Sequence, residues 1–293
     1  LSIATGGTGG VFYPYGGGLA RVLSAHAKGV QATAEVTGGS VDNVKLVHKG
    51  DADIGFSTID SAADAIAGTG SYKDTGPQKI VALATLYDSF VHVVARGDAG
   101  IATVADLKGK RISVGSAGSS TEAIADRILE AAGVDPASGV TRDNLSVAES
   151  AGALKDGKID AFFWVGGLPT SAISDLTVSG TPAVTFLSTG DLLPTLDAKY
   201  PGLYRAAALP QSTYAGLTAD VPGLGVANVL FVSADMKAET VTTILTTIFD
   251  NLAEVKKIHP DAQSLTLAGA AAKTALPLHP AAKDFYAARG IHP

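Results

Sequence analysis

Four loops of this chain combine glycine with small hydroxyl residues, and each lies between a strand-like segment and a helix-like segment. The loops are residues 5–10 (TGGTGG), 37–40 (TGGS), 58–61 (TIDS) and 116–121 (SAGSST). Backbone N–H groups at the start of a helix have no carbonyl partner in that helix, so such loops suit an anion such as a carboxylate without needing a cationic side chain. A single loop of this kind is more often a turn or a cap. Four together indicate a binding site.

The sequence contains none of the common catalytic signatures. There is no G-x-S-x-G, H-E-x-x-H or EF-hand pattern, and Phe12 stands where the third glycine of G-x-G-x-x-G belongs. The six histidines are scattered without metal-ligand spacing, and the lack of cysteine excludes disulfides, thiolate zinc sites and a thiol nucleophile. We therefore expect a protein that is not an enzyme, with no catalytic residues, no cofactor and no metal site.

Composition narrows the function classes further. The chain has 293 residues, of which 34 are glycine, 46% are hydrophobic and 17% are charged, with a formal net charge of −6. Low charge with high apolar content excludes a disordered chain. The acidic balance without clustered Lys or Arg argues against nucleic acid as a partner. The longest apolar runs, such as residues 80–84, are far shorter than the roughly 20 residues that span a bilayer, so we expect a soluble protein.

The elements that must position the loops follow a repeated order of strand, loop and helix. We expect strands at 1–4, 31–36 and from 54, and again at 111–115, 145–148 and 159–165, with helices at 14–27, 41–49, 121–132 and 149–156 between them. This order predicts parallel sheets in two α/β lobes, with the loops gathered at the carboxyl ends of the strands. A helix over 239–256 carries one apolar stripe and is expected to pack in the core, and residues 176–222 receive no assignment.

Aromatic residues accompany two of the loops. Phe12 and Tyr13 follow the first loop, and Trp164, the one tryptophan, ends an apolar strand shortly before Gly167. Alternation along a strand places Phe162 and Trp164 on the same face. Two interpretations of Trp164 therefore stay open, a core aromatic and a wall of a ligand cleft.

Five segments together resemble one known family. They are IATGGTGGVFYPYGGGLARVLS (3–24), AEVTGGSVDNVKLVHKGDADIGF (34–56), DLKGKRISVGSAGSST (106–121), DGKIDAFFWVGGLP (156–169) and PLHPAAKDFYAARG (277–290). The sequence resembles the TAXI family of solute-binding proteins, which are the binding subunits of one class of TRAP transporters. The resemblance covers essentially the whole chain, and TGGTGGVFYP with TGGSVDN is its specific part.

The resemblance implies a type II periplasmic-binding-protein fold and capture of a small carboxylate such as glutamate, glutamine or 2-oxoglutarate. It also implies delivery to the membrane subunits of a TRAP transporter, a periplasmic or other extracytoplasmic location, and a monomer. The chain starts at Leu1 in a strand-like segment, which fits a removed signal segment and a chosen start point equally well.

We expect a clamshell with two hinge strands near 90–96 and 225–232. Residues 1–91 and 233–293 would form lobe one, and residues 92–232 would form lobe two. An ionised Asp60 that faces the ligand would favour an amine or amide over a second carboxylate, and its alternative role is a helix cap. The expected ligand-binding residues are Thr8, Gly9, Phe12, Tyr13, Ser40, Thr58 and Asp60 in lobe one, and Ser116, Gly118, Ser119, Ser120, Thr121, Trp164 and Gly167 in lobe two.

Two other functions use the same fold. The sensing domain of a receptor would bind its ligand in the same pocket, and a membrane anchor or signalling domain in the full-length protein would distinguish it from a transporter subunit. An enzyme on this fold is disfavoured because no acid/base pair is evident.

Overall fold

The computed structural model describes residues 1–292, which form two compact units. The first unit contains Leu1–Asp88 and the chain from Ala227 onward, and the second contains Ser89–Val226. The chain therefore passes between the units twice. The sequence predicted these two boundaries a few residues later, between residues 91 and 92 and between residues 232 and 233. The clamshell and its hinge stay predictions.

Strands and helices alternate along most of the chain. The strands are β1 (Ser2–Ala4), β2 (Thr33–Glu35), β3 (Ile54–Thr58), β4 (Ile80–Arg96), β5 (Arg111–Ser113), β6 (Thr141–Asp143), β7 (Ala161–Gly166), β8 (Val184–Phe186), β9 (Arg205–Leu209) and β10 (Val221–Ser233). The α-helices are α1 (Phe12–His26), α2 (Ser40–Lys49), α3 (Ile59–Ala67), α4 (Ser120–Ala131), α5 (Val147–Lys155), α6 (Ser171–Ser179), α7 (Leu193–Lys199), α8 (Ala238–Asp250), α9 (Leu252–Val255), α10 (Leu267–Ala270) and α11 (Pro280–Ala287).

Parallel pairing organises the start of each unit. In the first unit β1 lies between β2 and β3 and is parallel to both, while β10 joins β3 in antiparallel register. In the second unit β5 is parallel to β6 and β7, and β7 and β8 each pair antiparallel with β4. Because β1, β2 and β3 run in the same direction, the connections that lead into α1, α2 and α3 leave one edge of the sheet. The expected α/β class, with parallel strands in each of two units, is thus confirmed.

Each unit has its own apolar core. In the first unit, α1 and α11 pack against α8, whose buried stripe confirms that the helix expected over 239–256 is a core element, although it is interrupted at Asn251. Val41, Val44 and Val47 of α2 are buried as the three-residue spacing predicted, and the helix ends at Gly50, whose φ of 80° is the left-handed cap that glycine favours. In the second unit, buried side chains include Val94, Leu154, Phe162 and Ile173.

Gly16 lets helix α1 pack closely behind the first loop. A Cβ atom at this position would lie 2.4 Å from the Cγ2 atom of Thr5, a distance that real side chains do not reach. Any larger residue would therefore push Thr5 out of the strand end that begins the loop. The glycine-rich start of α1 consequently serves packing as well as loop geometry.

The expected strand at 145–148 is wrong. Strand β6 ends at Asp143, and helix α5 begins at Val147. A capping box sets this start: Ser146 Oγ accepts from Glu149 N at 3.3 Å, and Glu149 Oε2 accepts from Ser146 N at 2.9 Å. The Ser-x-x-Glu pattern was present in the sequence, and it outweighs the apolar residues around it.

Replacing Ser146 with alanine is expected to lower the free energy of unfolding by about 1 kcal/mol, because the start of α5 loses its cap. Urea denaturation of both proteins measures the difference. Ser171→Ala is the matched control, since Ser171 is exposed in the first turn of α6 and is not its N-cap. Equal losses in the two variants would contradict a specific capping role for Ser146.

Candidate functional site

The side chain of Asn43 joins two loops and strand β3 at one sheet edge of the first unit, where β3 passes directly from Thr58 into α3 at Ile59. This group of residues 5–10, 37–40 and 58–60 is called the first-unit loop cluster below. Asn43 Nδ2 donates to Thr5 O at 2.6 Å and to Phe56 O at 2.8 Å, and Asn43 Oδ1 accepts from Thr37 Oγ1 at 2.6 Å. The residue is fully buried. All its hydrogen-bonding groups are therefore engaged in holding loops.

Further contacts bring the loops against each other. Ser40 Oγ accepts a hydrogen bond from Thr58 N at 3.1 Å, which ties the start of α2 to the end of β3. A Cβ atom added to Gly6 would lie 4.0 Å from Gly39 Cα, so the backbones of the first two loops pass close to each other. Ser40 was expected to bind ligand, but its side chain is buried and has this partner within the protein.

The helices that follow the first-unit loop cluster begin without side-chain caps. The N-cap residues of α1, α2 and α3 are Val11, Gly39 and Thr58, and none of them makes a capping hydrogen bond through its side chain. Each helix has nine residues or more. The first N–H groups of such helices carry partial positive charge and have no partner within the helix. Three such helix ends leave this one edge of the sheet.

Thr58 adds a hydroxyl group at this point. Its side chain is 1% exposed, and no hydrogen-bond partner of Oγ1 occurs within residues 1–292. A buried hydroxyl without a partner is destabilising, so one is rarely retained without a reason. Thr58 thus differs from Ser40, whose hydroxyl is used internally.

Asp60 lies in the first turn of α3 and is fully buried. The N-cap of this helix is Thr58, so the alternative role of Asp60 as the cap is wrong. Near Asp60, the hydroxyl groups of Ser61 and Tyr72 lie 3.0 Å apart. Burial raises the pKa of Tyr72 above its usual range, and the charge of Asp60 raises it further.

The other expected residues of the first unit are more exposed. Thr8 is exposed and Gly9 is half-buried, at the outer part of the first loop. The ring of Phe12 lies 5.3 Å from that of Phe56 and packs on the core. Tyr13 lines an open groove along α1 with Arg21 and other residues, none of which belongs to the loop cluster. Solute binding by Tyr13 stays a prediction.

The loop at 116–121 in the second unit is largely satisfied by its own side chains. Ser119 is the N-cap of α4, where its Oγ accepts from Glu122 N at 3.2 Å and donates to Ser116 O at 2.6 Å. Gly118 N donates to Glu122 Oε2 at 3.3 Å. A carboxylate of the protein itself therefore occupies part of the loop that was expected to hold the ligand carboxylate.

Nearby groups fix this carboxylate and the rest of the loop. Glu122 Oε1 accepts from Arg142 at 3.2 Å and from Asn144 Nδ2 at 2.9 Å. Thr121 is buried, and its Oγ1 accepts from Val165 N at 3.3 Å. Ser120 is buried in the first turn of α4. The hydroxyls of Ser119 and Thr121 thus have structural roles, and ligand binding by this loop stays a prediction.

Trp164 has features of both interpretations that the sequence left open. It is half-buried and packs on the core of the second unit, and its Nε1 donates to Thr170 Oγ1 at 2.9 Å. The indole also covers Gly166, where a Cβ atom would lie 2.6 Å from the ring. Gly167 is buried, and its carbonyl accepts from Thr170 Oγ1 at 3.0 Å.

Sequence reasoning missed two residues beside Trp164. His92 Nε2 and the Tyr214 hydroxyl lie 3.0 Å apart, and Tyr214 also accepts from Thr170 N at 3.0 Å. Burial lowers the pKa of His92 to about 4, so the imidazole is neutral at pH 7. The available sequence signal for His92 was that it is polar within the apolar run 90–95 of β4. Its partner Tyr214 lies 122 residues away, so no local pattern connects the two.

Two classes of feature do not occur in residues 1–292. No group of three or more His, Asp or Glu side chains is placed to hold a metal ion. No helix in the same residues has the length and apolar content needed to cross a bilayer.

Residues 3–290 match the family model of the NMT1-like family. The chain belongs to this family. Its members are binding proteins of the SsuA, nitrate and taurine type that serve ABC transporters, and they are not enzymes. The chain is accordingly a solute-binding protein of a transporter.

This match corrects the resemblance drawn from the sequence. Assignment to the TAXI family, and with it to TRAP membrane subunits, is wrong. The segments TGGTGGVFYP and TGGSVDN, the specific part of that resemblance, therefore do not identify the TAXI family in this chain.

Solved structures show the same fold at low sequence identity. A protein from Bordetella bronchiseptica RB50 is 20% identical with a TM-score of 0.59, over 89% of this chain and 76% of that one. A binding protein component of an ABC phosphonate transporter from Pseudomonas aeruginosa is 12% identical with a TM-score of 0.57, over 90% and 78%. A Xanthomonas citri protein bound to ATP is 11% identical with a TM-score of 0.57, over 98% and 94%.

Asn43→Ala is expected to lower the free energy of unfolding by about 3 kcal/mol, because Thr5 O and Phe56 O lose their buried donor. Chemical denaturation measures the loss. Asn251→Ala is the control in the same unit: Asn251 donates to Thr247 O at 2.8 Å but is only half-buried, so a smaller effect is expected. A loss below that of the control would show that Asn43 does not hold the loops.

The pH dependence of stability is expected to include a contribution from His92. The unfolded imidazole takes up a proton near pH 6.5 and the folded one only near pH 4, so stability is fully present above pH 6.5 and is lost as pH falls towards 4. Between pH 7 and pH 5 the wild-type protein should lose about 2 kcal/mol more than His92→Gln. Urea denaturation at the two pH values measures this, and parallel pH profiles would contradict it.

Proposed function

We propose that the protein is an extracytoplasmic solute-binding protein that holds the acidic group of a small organic solute at the first-unit loop cluster and delivers the solute to an ABC-type transporter. The observation that carries the proposal is that three helices without side-chain caps begin at one sheet edge, where the hydroxyl of Thr58 is buried and has no partner within residues 1–292. Helix N-termini bind anions through their first N–H groups, and the hydroxyl supplies one further donor.

The charges around the cluster restrict the solute. Residues 5–10, 37–40 and 58–60 contain no Lys or Arg, so an acidic group would be held by N–H groups and hydroxyls alone. Asp42 and Asp60 lie in the first turns of α2 and α3. Their negative charges disfavour a second acidic group nearby and favour an amine or amide on the solute. A solute with one carboxylate and an amine or amide, as in glutamine, therefore fits better than 2-oxoglutarate, and the amine of glutamate offsets its second carboxylate only in part.

In the second unit, the groups proposed to bind the solute are mainly backbone N–H groups. In residues 116–121 the hydroxyls of Ser119 and Thr121 and the N–H of Gly118 already have partners within the protein. The N–H groups of Ser120 and Thr121, in the first turn of α4, are the groups that suit a solute. Trp164 and Gly167 would add an apolar surface and a fixed backbone turn, because the indole is partly exposed.

A thermal-shift panel tests the class of solute. Carboxylates, amino acids, sulfonates, phosphonates and nucleotides belong in it, since the solved neighbours include a phosphonate-transporter component and an ATP complex. A solute at a hundredfold excess over its dissociation constant stabilises the protein by roughly 2.7 kcal/mol. If only sugars or cations raise the melting temperature, binding of an acidic group is wrong.

Thr58→Val is expected to weaken binding of the best panel solute by about tenfold, because one hydrogen bond to a charged group is lost. Stability of the free protein should stay unchanged or rise, since the hydroxyl has no partner in the protein. Isothermal titration and melting curves measure the two effects.

Thr189→Val is the matched control for this variant. Thr189 is equally buried, and its Oγ1 likewise has no hydrogen-bond partner within residues 1–292, but it lies in the second unit at the start of a 3-10 helix of three residues. This variant should bind the solute as tightly as the wild-type protein. Equal affinities for wild type, Thr58→Val and Thr189→Val would remove Thr58 from the site.

A further inference from the structure

Tyr214 lies at the centre of a buried chain of hydrogen bonds in the second unit. Its hydroxyl is 3.0 Å from His92 Nε2 and 3.0 Å from Thr170 N. Thr170 Oγ1 in turn lies 2.9 Å from Trp164 Nε1 and 3.0 Å from Gly167 O. His92, Thr170 and Tyr214 are each at most 5% exposed. Side chains thereby connect strand β4 with strand β7, the turn after β7 and a segment after β9.

The direction of every bond in this chain follows from the groups that can only donate or only accept. His92 Nδ1 lies 3.0 Å from Phe90 O, which only accepts, so Nδ1 carries the proton. His92 Nε2 of the neutral ring therefore accepts from the Tyr214 hydroxyl. That hydroxyl accepts from Thr170 N, and the Thr170 hydroxyl accepts from Trp164 Nε1 and donates to Gly167 O. The chain is consistent from end to end.

Aromatic packing holds Tyr214 in this orientation. The ring of Phe186 stacks on it at 5.3 Å between centroids with an angle of 11° between planes, and the His92 ring meets it edge-on at 5.7 Å. Phe186 belongs to β8, whose register with β4 places it opposite Val94, two residues beyond His92. Both ring partners of Tyr214 are therefore fixed by the β4 pairing.

We propose that Tyr214 is a positioning residue for solute capture: through Thr170 it holds the turn at 166–170 and the Trp164 indole in the arrangement that the solute meets. This inference rests on the proposed function, in which Trp164 and Gly167 contribute to solute binding. Tyr214 itself is buried and has both hydroxyl partners within the protein, so it acts through Thr170 rather than by touching the solute.

The fluorescence of the protein reports this arrangement directly, because Trp164 is the one tryptophan in the chain. Emission spectra and acrylamide quenching are measured without solute for the wild type, Tyr214→Phe, Thr170→Val and Thr170→Ser. Tyr286→Phe is the matched control: it removes a comparably buried hydroxyl that donates to Leu83 O at 2.9 Å in the first unit. Affinity for the best panel solute is then measured for all five proteins.

The expected result is that Tyr214→Phe and Thr170→Val both shift the emission maximum or raise quenching and weaken solute binding by about fivefold or more. Thr170→Ser, which keeps the hydroxyl, and Tyr286→Phe should match the wild type in both measurements. Wild-type emission in Tyr214→Phe would overturn the positioning role, and so would altered emission with unchanged affinity. A wild-type protein that binds no panel solute would count against the proposed function, while the emission arm still decides whether Tyr214 positions Trp164.

Discussion

The buried amide of Asn43 is the interaction on which the first-unit loop cluster depends. It joins Thr5, Thr37 and Phe56, which belong to three segments separated in sequence. Glycine-rich loops are entropically costly to order, and loops without apolar side chains cannot be ordered by packing. A polar side chain with two donors and one acceptor, buried under the loops, supplies the missing constraint.

Order in these loops allows backbone groups to replace charged side chains. N–H groups recognise an anion well only when they are held in a fixed arrangement before it arrives, because ordering them afterwards consumes binding free energy. The close packing of Gly16 against Thr5 restricts the start of the first loop, as Asn43 does. Under the proposed function, the low charge of the chain and its excess of glycine serve one recognition strategy.

The sequence predicted the αβ order, the buried stripe of α2 and the loops after β1, β2 and β5, because periodicity and glycine punctuation are local signals. The loop expected at 58–61 is wrong, since β3 ends at Thr58 and α3 begins at Ile59. The sequence did not predict which hydroxyls are used internally. Ser119 and Ser40 carry a hydroxyl group at the start of a helix, as Thr58 does, but their partners are determined by loop closure and by contacts between distant segments. The contact between His92 and Tyr214 was not predicted for the same reason, since 122 residues separate them.

The two units satisfy their helix N-termini in different ways, and this difference bears on where an acidic group binds. In the second unit α4 is capped by Ser119, and the carboxylate of Glu122 accepts from the loop backbone. In the first unit the starts of α1, α2 and α3 have no side-chain cap. A cap removes the partial positive charge that an external anion would neutralise. Similar folding of the two units therefore does not imply equal binding. Asp42 and Asp60 lie in the first turns of α2 and α3, whereas α1 has neither a side-chain cap nor an acidic residue in its first turn, so its start is the one that an acidic group would stabilise most.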